Sequence, residues 1–217
     1  FMHWSNPLAT KIYDISSSEV YTLGMRDYMD IILPYGLKFT MNVGFDFEQG
    51  GSVSTENPLY GQNASTGGTI QKSENRATSL NLQQLLNWTY SFGDNHLDVI
   101  AGHEYYASNN NYLMGSRDKL FLLKTRELSG AINNERATSA ANKYRVEGYL
   151  ARVSYDWNEK YFVSASFRRD GSSRFAKDAR WGNFGSLGVS WLMHQESFME
   201  SLRSWVDMLK LKASYGI

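Results

Sequence analysis

Gly148-Tyr-Leu-Ala-Arg-Val-Ser-Tyr-Asp-Trp157, followed after Asn158-Glu159-Lys160 by Tyr161-Phe-Val-Ser-Ala-Ser-Phe-Arg168, decides the fold class. Read in twos, Tyr149, Ala151, Val153, Tyr155 and Trp157 fall on one side of an extended segment, with Gly148, Arg152, Ser154 and Asp156 on the other. Tyr161, Val163, Ala165 and Phe167 then alternate with Ser164, Ser166 and Arg168. A period of two belongs to strands with one apolar face, and the short polar link makes the two runs a hairpin. A polar link over Arg169–Phe175 leads to Arg180-Trp-Gly-Asn-Phe184, and beyond it Leu187, Val189 and Trp191 alternate with Ser186, Gly188 and Ser190.

The same grammar runs through the rest of the chain. Residues 1–17 read as a loop entry, and Tyr21–Leu33 as a strand of imperfect alternation. Pro34-Tyr35-Gly36 is a tight turn, because proline presets the first turn angle and glycine permits positive φ. Leu37, Phe39, Met41, Val43, Phe45 and Phe47 then form one face of a strand whose other face is Lys38, Thr40, Asn42, Gly44, Asp46 and Glu48. Residues 50–70 predict a long loop. Leu80–Phe92 predicts a strand, Gly93-Asp94-Asn95 a turn, and Leu97, Val99, Ala101 and Tyr105 the returning strand. A second long link is expected over 108–142, with Leu120-Phe-Leu-Leu123 in it as a helical turn or a loop packed into a cavity.

After Trp191 the period changes. Ser197 and Glu200 have capping-box spacing, and Phe198, Leu202, Trp205 and Val206 lie near one face of a short helix over 197–206. Leu209, Leu211, Ala213 and Tyr215 end the chain in mid-strand. The expectation is all-β and antiparallel, with about eight strands joined alternately by short turns near 35, 94 and 159 and long loops near 60, 125 and 175.

Composition excludes several function classes. The 22 basic and 22 acidic residues cancel, which removes the broad electrostatic case for nucleic acid. Cysteine is absent, so no thiolate nucleophile or metal site exists. No stretch approaches the roughly 20 apolar residues of a membrane helix. Barrel strands escape that test, since alternation averages to a polar sequence. Phe1-Met-His-Trp4 carries no signal peptide, so the chain is either not exported or an internal piece of a longer one. Aromatics reach 14%, and Tyr35, Tyr90, Phe92, Tyr155, Trp157 and Tyr161 gather beside the short turns as a membrane-interface girdle would.

No catalytic or metal constellation is present in the pattern. His3, His96, His103 and His194 lack ligand spacing, and His103 and Glu104 point to opposite faces of their strand. The glycines of Gly182–Gly188 have the wrong spacing for a dinucleotide loop. No cofactor is implied. The densest charges, Arg168, Arg169, Asp170, Arg174, Asp178 and Arg180, read as a self-neutralising brace on a loop, or as a patch gripping a polar solute. Charge parity places Lys38, Asp46, Asp98, Arg152, Arg168, Lys210 and Lys212 opposite the apolar face. Lipid demands this, but so does the core of a soluble β-sandwich, and pattern alone leaves the two open.

Four runs narrow the reading: Glu147-Gly-Tyr-Leu-Ala-Arg-Val-Ser-Tyr-Asp156, Lys160–Phe175, Arg180-Trp-Gly-Asn-Phe184 and Leu209-Lys-Leu-Lys-Ala-Ser-Tyr-Gly216. In this order they resemble the SusC/RagA family of TonB-linked outer-membrane transporters, most specifically across 145–217. The resemblance implies an antiparallel transmembrane β-barrel of the plugged, roughly 22-stranded class, with long extracellular loops. It further implies uptake of oligosaccharides or peptides across the outer membrane of a Gram-negative bacterium of the Bacteroidota. The implied partners are a SusD-like surface lipoprotein, the TonB complex through a plug region, and outer-membrane lipid. Residues 1–217 would then be a partial barrel domain without plug or remaining strands, and not an enzyme. Arg152, Arg168, Arg169, Asp170, Arg174 and Arg180 become lumen or rim candidates. The alternatives are a passive porin or barrel enzyme of the same membrane, and a soluble β-rich binding module.

Overall fold

The computed structural model of the chain describes residues 7–202 and 204–217; the first six residues of the loop entry expected over 1–17, His3 among them, lie outside these. After helix α1 (Pro7–Tyr13) come eight strands: β1 (Ile15–Ile32), β2 (Leu37–Glu56), β3 (Thr69–Phe92), β4 (Asn95–Leu120), β5 (Ala131–Trp157), β6 (Tyr161–Ser172), β7 (Trp181–Leu192) and β8 (Lys210–Gly216). They pair in one sheet in chain order, β1 to β8. Each strand therefore bonds to its neighbours in sequence, which is the up-and-down antiparallel arrangement. The hairpin register keeps the alternation intact: Ala151 pairs with Phe167, Val153 with Ala165 and Trp157 with Tyr161. Across the next pair, Ala165 meets Leu187 and Val163 meets Val189.

The turns follow the sequence closely. Pro34–Gly36 is a single 3₁₀ turn. At the β5–β6 link Asn158 and Glu159 both have φ of 55°, and the Lys160 amide donates to the Trp157 carbonyl at 3.0 Å. Two consecutive positive φ values close a hairpin whose twist suits its strands. Three boundaries differ from expectation. The strands run on through much of 50–70 and 108–142, so the links shrink to 57–68 and 121–130. The segment after Ser197 is a 3₁₀ helix, Ser197–Leu202, shorter than the helix expected over 197–206. Pro7–Tyr13, within the expected loop entry, is helical.

Two compact units are distinguishable. One takes the chain up to Gly24 with Phe45–Ser79 and Ser108–Lys143; the other holds Met25–Gly44, Leu80–Ala107 and Tyr144–Ile217. The first contains a small core of Ile70, Leu120 and Ala131, flanked by Val53 and Leu128. Leu120 alone of the Leu120–Leu123 patch is buried; Phe121, Leu122 and Leu123 are exposed in a turn. Beside this core the buried Asp118 carboxylate accepts from Thr69 Oγ1 at 3.1 Å and Asn134 Nδ2 at 2.9 Å. A buried polar group needs such partners to offset the water it gives up.

The second unit has no comparable core. Its apolar residues stay open: Phe167 is 50% exposed, Leu187 61% and Val189 53%. A sandwich covers this face with a second sheet about 10 Å away; among the described residues none does. Within the described residues this part of the sheet is a single layer.

Candidate functional site

The polar face of the second unit is crossed by a continuous chain of hydrogen bonds. Asn42 Nδ2 on β2 donates to Gln83 Oε1 on β3 at 2.8 Å. Gln83 Nε2 donates in turn to Glu104 Oε1 on β4 at 2.8 Å. Arg168 Nη2 on β6 reaches the other Glu104 oxygen at 2.6 Å, and its Nε donates to both Asp170 oxygens at 2.8 Å. One guanidinium thus bridges two carboxylates, and each of its contacts is charge-assisted.

Arg168 and Glu104 stand on strands separated by β5, and the residue of β5 beneath the bridge is Gly148. A Cβ there would lie 2.6 Å from Asp170 Oδ1 and 3.1 Å from Arg168 Nη2. The missing side chain is the space the guanidinium occupies. Gly148 pairs with Asp170 across the ladder, so the notch is fixed by register.

The six candidate positions separate by parity and place. Arg152, Arg168 and Asp170 share the polar face; Arg152 lines a shallow concavity with Asp98, Asp156, Lys210 and Lys212. Arg169, next to Arg168, stands on the opposite face, where it pairs with Tyr149. Arg174 lies over the Tyr144 ring, its Cζ 4.6 Å from the centroid. Arg180 is in the link before β7, where its carbonyl accepts from the Ser172 amide at 3.1 Å. The structure therefore joins Arg168 and Asp170 but does not gather the six into one cluster. Sequence reasoning missed Glu104, Gln83 and Asn42, whose only signal was that each falls on the polar parity of its strand.

The other face carries the aromatics. Trp88 and Tyr90 stack at 5.9 Å, and Tyr90 and Phe92 at 5.7 Å. Trp157 stacks on Tyr161 at 5.4 Å and Tyr161 on Trp191 at 6.1 Å. Phe198, in the 3₁₀ helix, meets Trp191 edge-on at 6.3 Å. The band of aromatics beside the short turns is thereby extended by the link after β7.

That link is held by one carboxylate. Glu196 Oε1 accepts from the Tyr161 hydroxyl at 2.6 Å and the Trp191 indole N–H at 3.1 Å; Lys160 Nζ is 3.6 Å away. The Tyr161 hydroxyl, then the indole, hold the Glu196 carboxyl below the usual glutamate range. A depressed folded-state value means the contribution is complete above that range and is lost as pH falls through the folded value, below the usual glutamate range. In a full-length receptor with Trp191 as its sole tryptophan, acrylamide quenching of the indole should rise across that window. Glu196→Gln should quench more at neutral pH and lose the pH dependence; an unchanged titration would count against this anchoring.

Among the described residues no group of His, Asp and Glu has the arrangement of a metal site. His103 bonds Gln84 at 3.1 Å and faces Glu147 Oε1 at 3.3 Å.

No family model matches the chain. It is 29% identical over 98% of its length to a TonB-dependent receptor of Formosa agariphila. It is also 29% identical over 88% of its length to the TonB-dependent receptor SusC of Bacteroides thetaiotaomicron. The chain spans about a fifth of the length of these curated relatives, 21% and 18% respectively. Its fold is that of part of the RagAB peptide transporter, with a TM-score of 0.85 at 22% identity over 97% of this chain and 23% of that one. The open-open state of the RagAB peptide importer gives 0.78. The chain is similar to TonB-dependent receptors along nearly its whole sequence, and its eight meandering strands superpose on part of the RagAB transporter; together these support a fragment of the SusC/RagA type.

Proposed function

We propose that residues 1–217 are part of the barrel domain of a TonB-driven importer in a Gram-negative outer membrane. The observation that carries the reading is the pairing of an uncovered apolar face with an opposite face whose charges are hydrogen-bonded across β2–β6. In an outer-membrane barrel the first faces lipid and the second a polar interior. On this reading Arg152, Arg168 and Asp170 face the lumen, while Arg174 and Arg180 brace the rim. The plug, the TonB contact and the strands that complete the barrel belong to the rest of the receptor.

The cargo is an oligosaccharide or a peptide, handed over by a SusD-type surface lipoprotein. One solved relative in fold is named a peptide transporter, which supports peptide as the first substrate class to test. The relatives are receptors and transporters, which favours transport over turnover.

In cells that depend on the full-length receptor, uptake of labelled peptide and oligosaccharide mixtures should fall to background when TonB is removed. It should also fall when the partner lipoprotein is deleted. Uptake that continues without TonB would make the barrel a passive pore. Substrate breakdown without accumulation would make it an enzyme.

A further inference from the structure

Arg169 is a cation on the apolar-face parity of β6. Along β5–β7 that face runs through the rungs Val153–Ala165–Leu187 and Ala151–Phe167–Gly185, and the next rung is Tyr149–Arg169–Asn183. Arg169 is thus the first charge met beyond the apolar band. At the other edge of the band lies the aromatic rung Trp157–Tyr161–Trp191. Eight residue steps separate Trp157 from Tyr149 on β5, about 26 Å along the strand and about 20 Å once tilted as barrel strands are. That approaches the roughly 25 Å apolar height of such walls. Arg169 therefore falls at the level of lipid headgroups.

Its surroundings are built rather than accidental. Trp181 pairs with Gly171, and the indole lies flat across that glycine: a Cβ there would be 2.8 Å from Cε3 and 2.9 Å from Cδ2. Arg169 Cζ lies 5.2 Å from the Trp181 ring centroid, and the Tyr149 ring is 6.2 Å from the same indole. Stacking occupies the face of a guanidinium and leaves its in-plane N–H donors free.

The nearby carboxylates are taken. Asp170 is on the other face and bound by Arg168. Glu147, on the same face as Arg169, accepts from the Tyr149 hydroxyl at 2.6 Å and faces His103 Nε2 at 3.3 Å. Among the described residues Arg169 makes no ion pair. A stacked guanidinium with open donors, beside lipid and without a carboxylate, suits a phosphate, which its planar fork can bind through two oxygens.

We propose that Arg169, seated on Trp181, is a binding site for the phosphate of a membrane-lipid headgroup on the outer side of the wall. This rests on the wall reading above. The probe is phosphatidylglycerol in phosphatidylcholine vesicles, with the full-length receptor extracted and its retained phosphatidylglycerol counted by native mass spectrometry. Arg169→Ala should lower retention about tenfold, the scale of one charge-assisted hydrogen-bonded contact. Arg169→Lys, which keeps charge but loses fork and stack, should fall between. Gly171→Val, which displaces the indole, should weaken retention with Arg169 intact. Undiminished retention by Arg169→Ala, in a variant with wild-type heat-modifiable mobility, overturns the proposal. So does full displacement of the lipid by inorganic phosphate, which would make this a site for free anion. A Val163→Trp reporter separates the two levels. If brominated acyl chains fail to quench it, the wall reading fails; if they quench it while Arg169→Ala retains lipid, only the headgroup site fails.

Discussion

Ala165→Arg is expected to destabilise the full-length receptor in vesicles by about 2–4 kcal/mol, the range for arginine facing lipid near the middle of a barrel wall. Ala165 is the suitable position because it lies between Val153 and Leu187 on the apolar face, away from the aromatic rung at one edge and Arg169 at the other. The neighbouring Ser164→Arg should change stability by under about 1 kcal/mol. Its side chain would enter the polar concavity that holds Asp98 and Asp156 beside Arg152, Lys210 and Lys212, where a guanidinium keeps its water. Urea midpoints at unchanged slope measure both. Equal losses at the two positions would mean that the faces do not differ in solvent, and the wall reading would fall with that result.

The alternation that supports this contrast was legible in the sequence because one face is apolar for many residues in succession. From Leu37 to Phe47, and from Tyr149 to Phe167, every second residue reports its side, and the register later found keeps that parity. The turns were legible too, since Pro34-Tyr35-Gly36 and Asn158-Glu159 impose their own backbone geometry. Strand ends were not. Residues 132–143 of β5 are exposed on both faces except where the chain begins to alternate near Tyr144, so no hydrophobic period marks them as strand. They are held by ladder hydrogen bonds, to which sequence periodicity is blind. Polar stretches such as Ser108-Asn-Asn-Asn111 read as loop for the same reason, although β4 continues through them.

The candidate site was only half legible. Arg168 and Asp170 announce themselves by proximity in sequence. Glu104 does not, because its bond to Arg168 closes over 64 residues. The role of Gly148 exists only once β4, β5 and β6 are in register, and composition says nothing about which glycine of a strand lies under a side chain. The opposite facing of Arg168 and Arg169 was implicit in the period of two, yet treating the run as one charge cluster concealed it.

Coupling between Gly148 and Arg168 is therefore the sharper test of the interior face. Arg168→Ala should cost about 1–2 kcal/mol: charge-assisted bonds are worth about 1.5–3 kcal/mol each, but Arg168 is 43% exposed and solvent screening takes part of that. Gly148→Ala should cost a similar amount, because its Cβ would lie 2.6 Å from Asp170 Oδ1 and 3.1 Å from the guanidinium. If the glycine serves the bridge, the losses will not add. With Arg168 removed, Asp170 is free to swing away and the methyl group fits the vacated space, so the double variant should resemble Arg168→Ala alone. A double-mutant cycle on urea midpoints would show that as a coupling of about 1 kcal/mol. Simple additivity would mean that Gly148 is needed for β5 itself, and that the bridge from Glu104 to Arg168 rests on the strands without the notch between them.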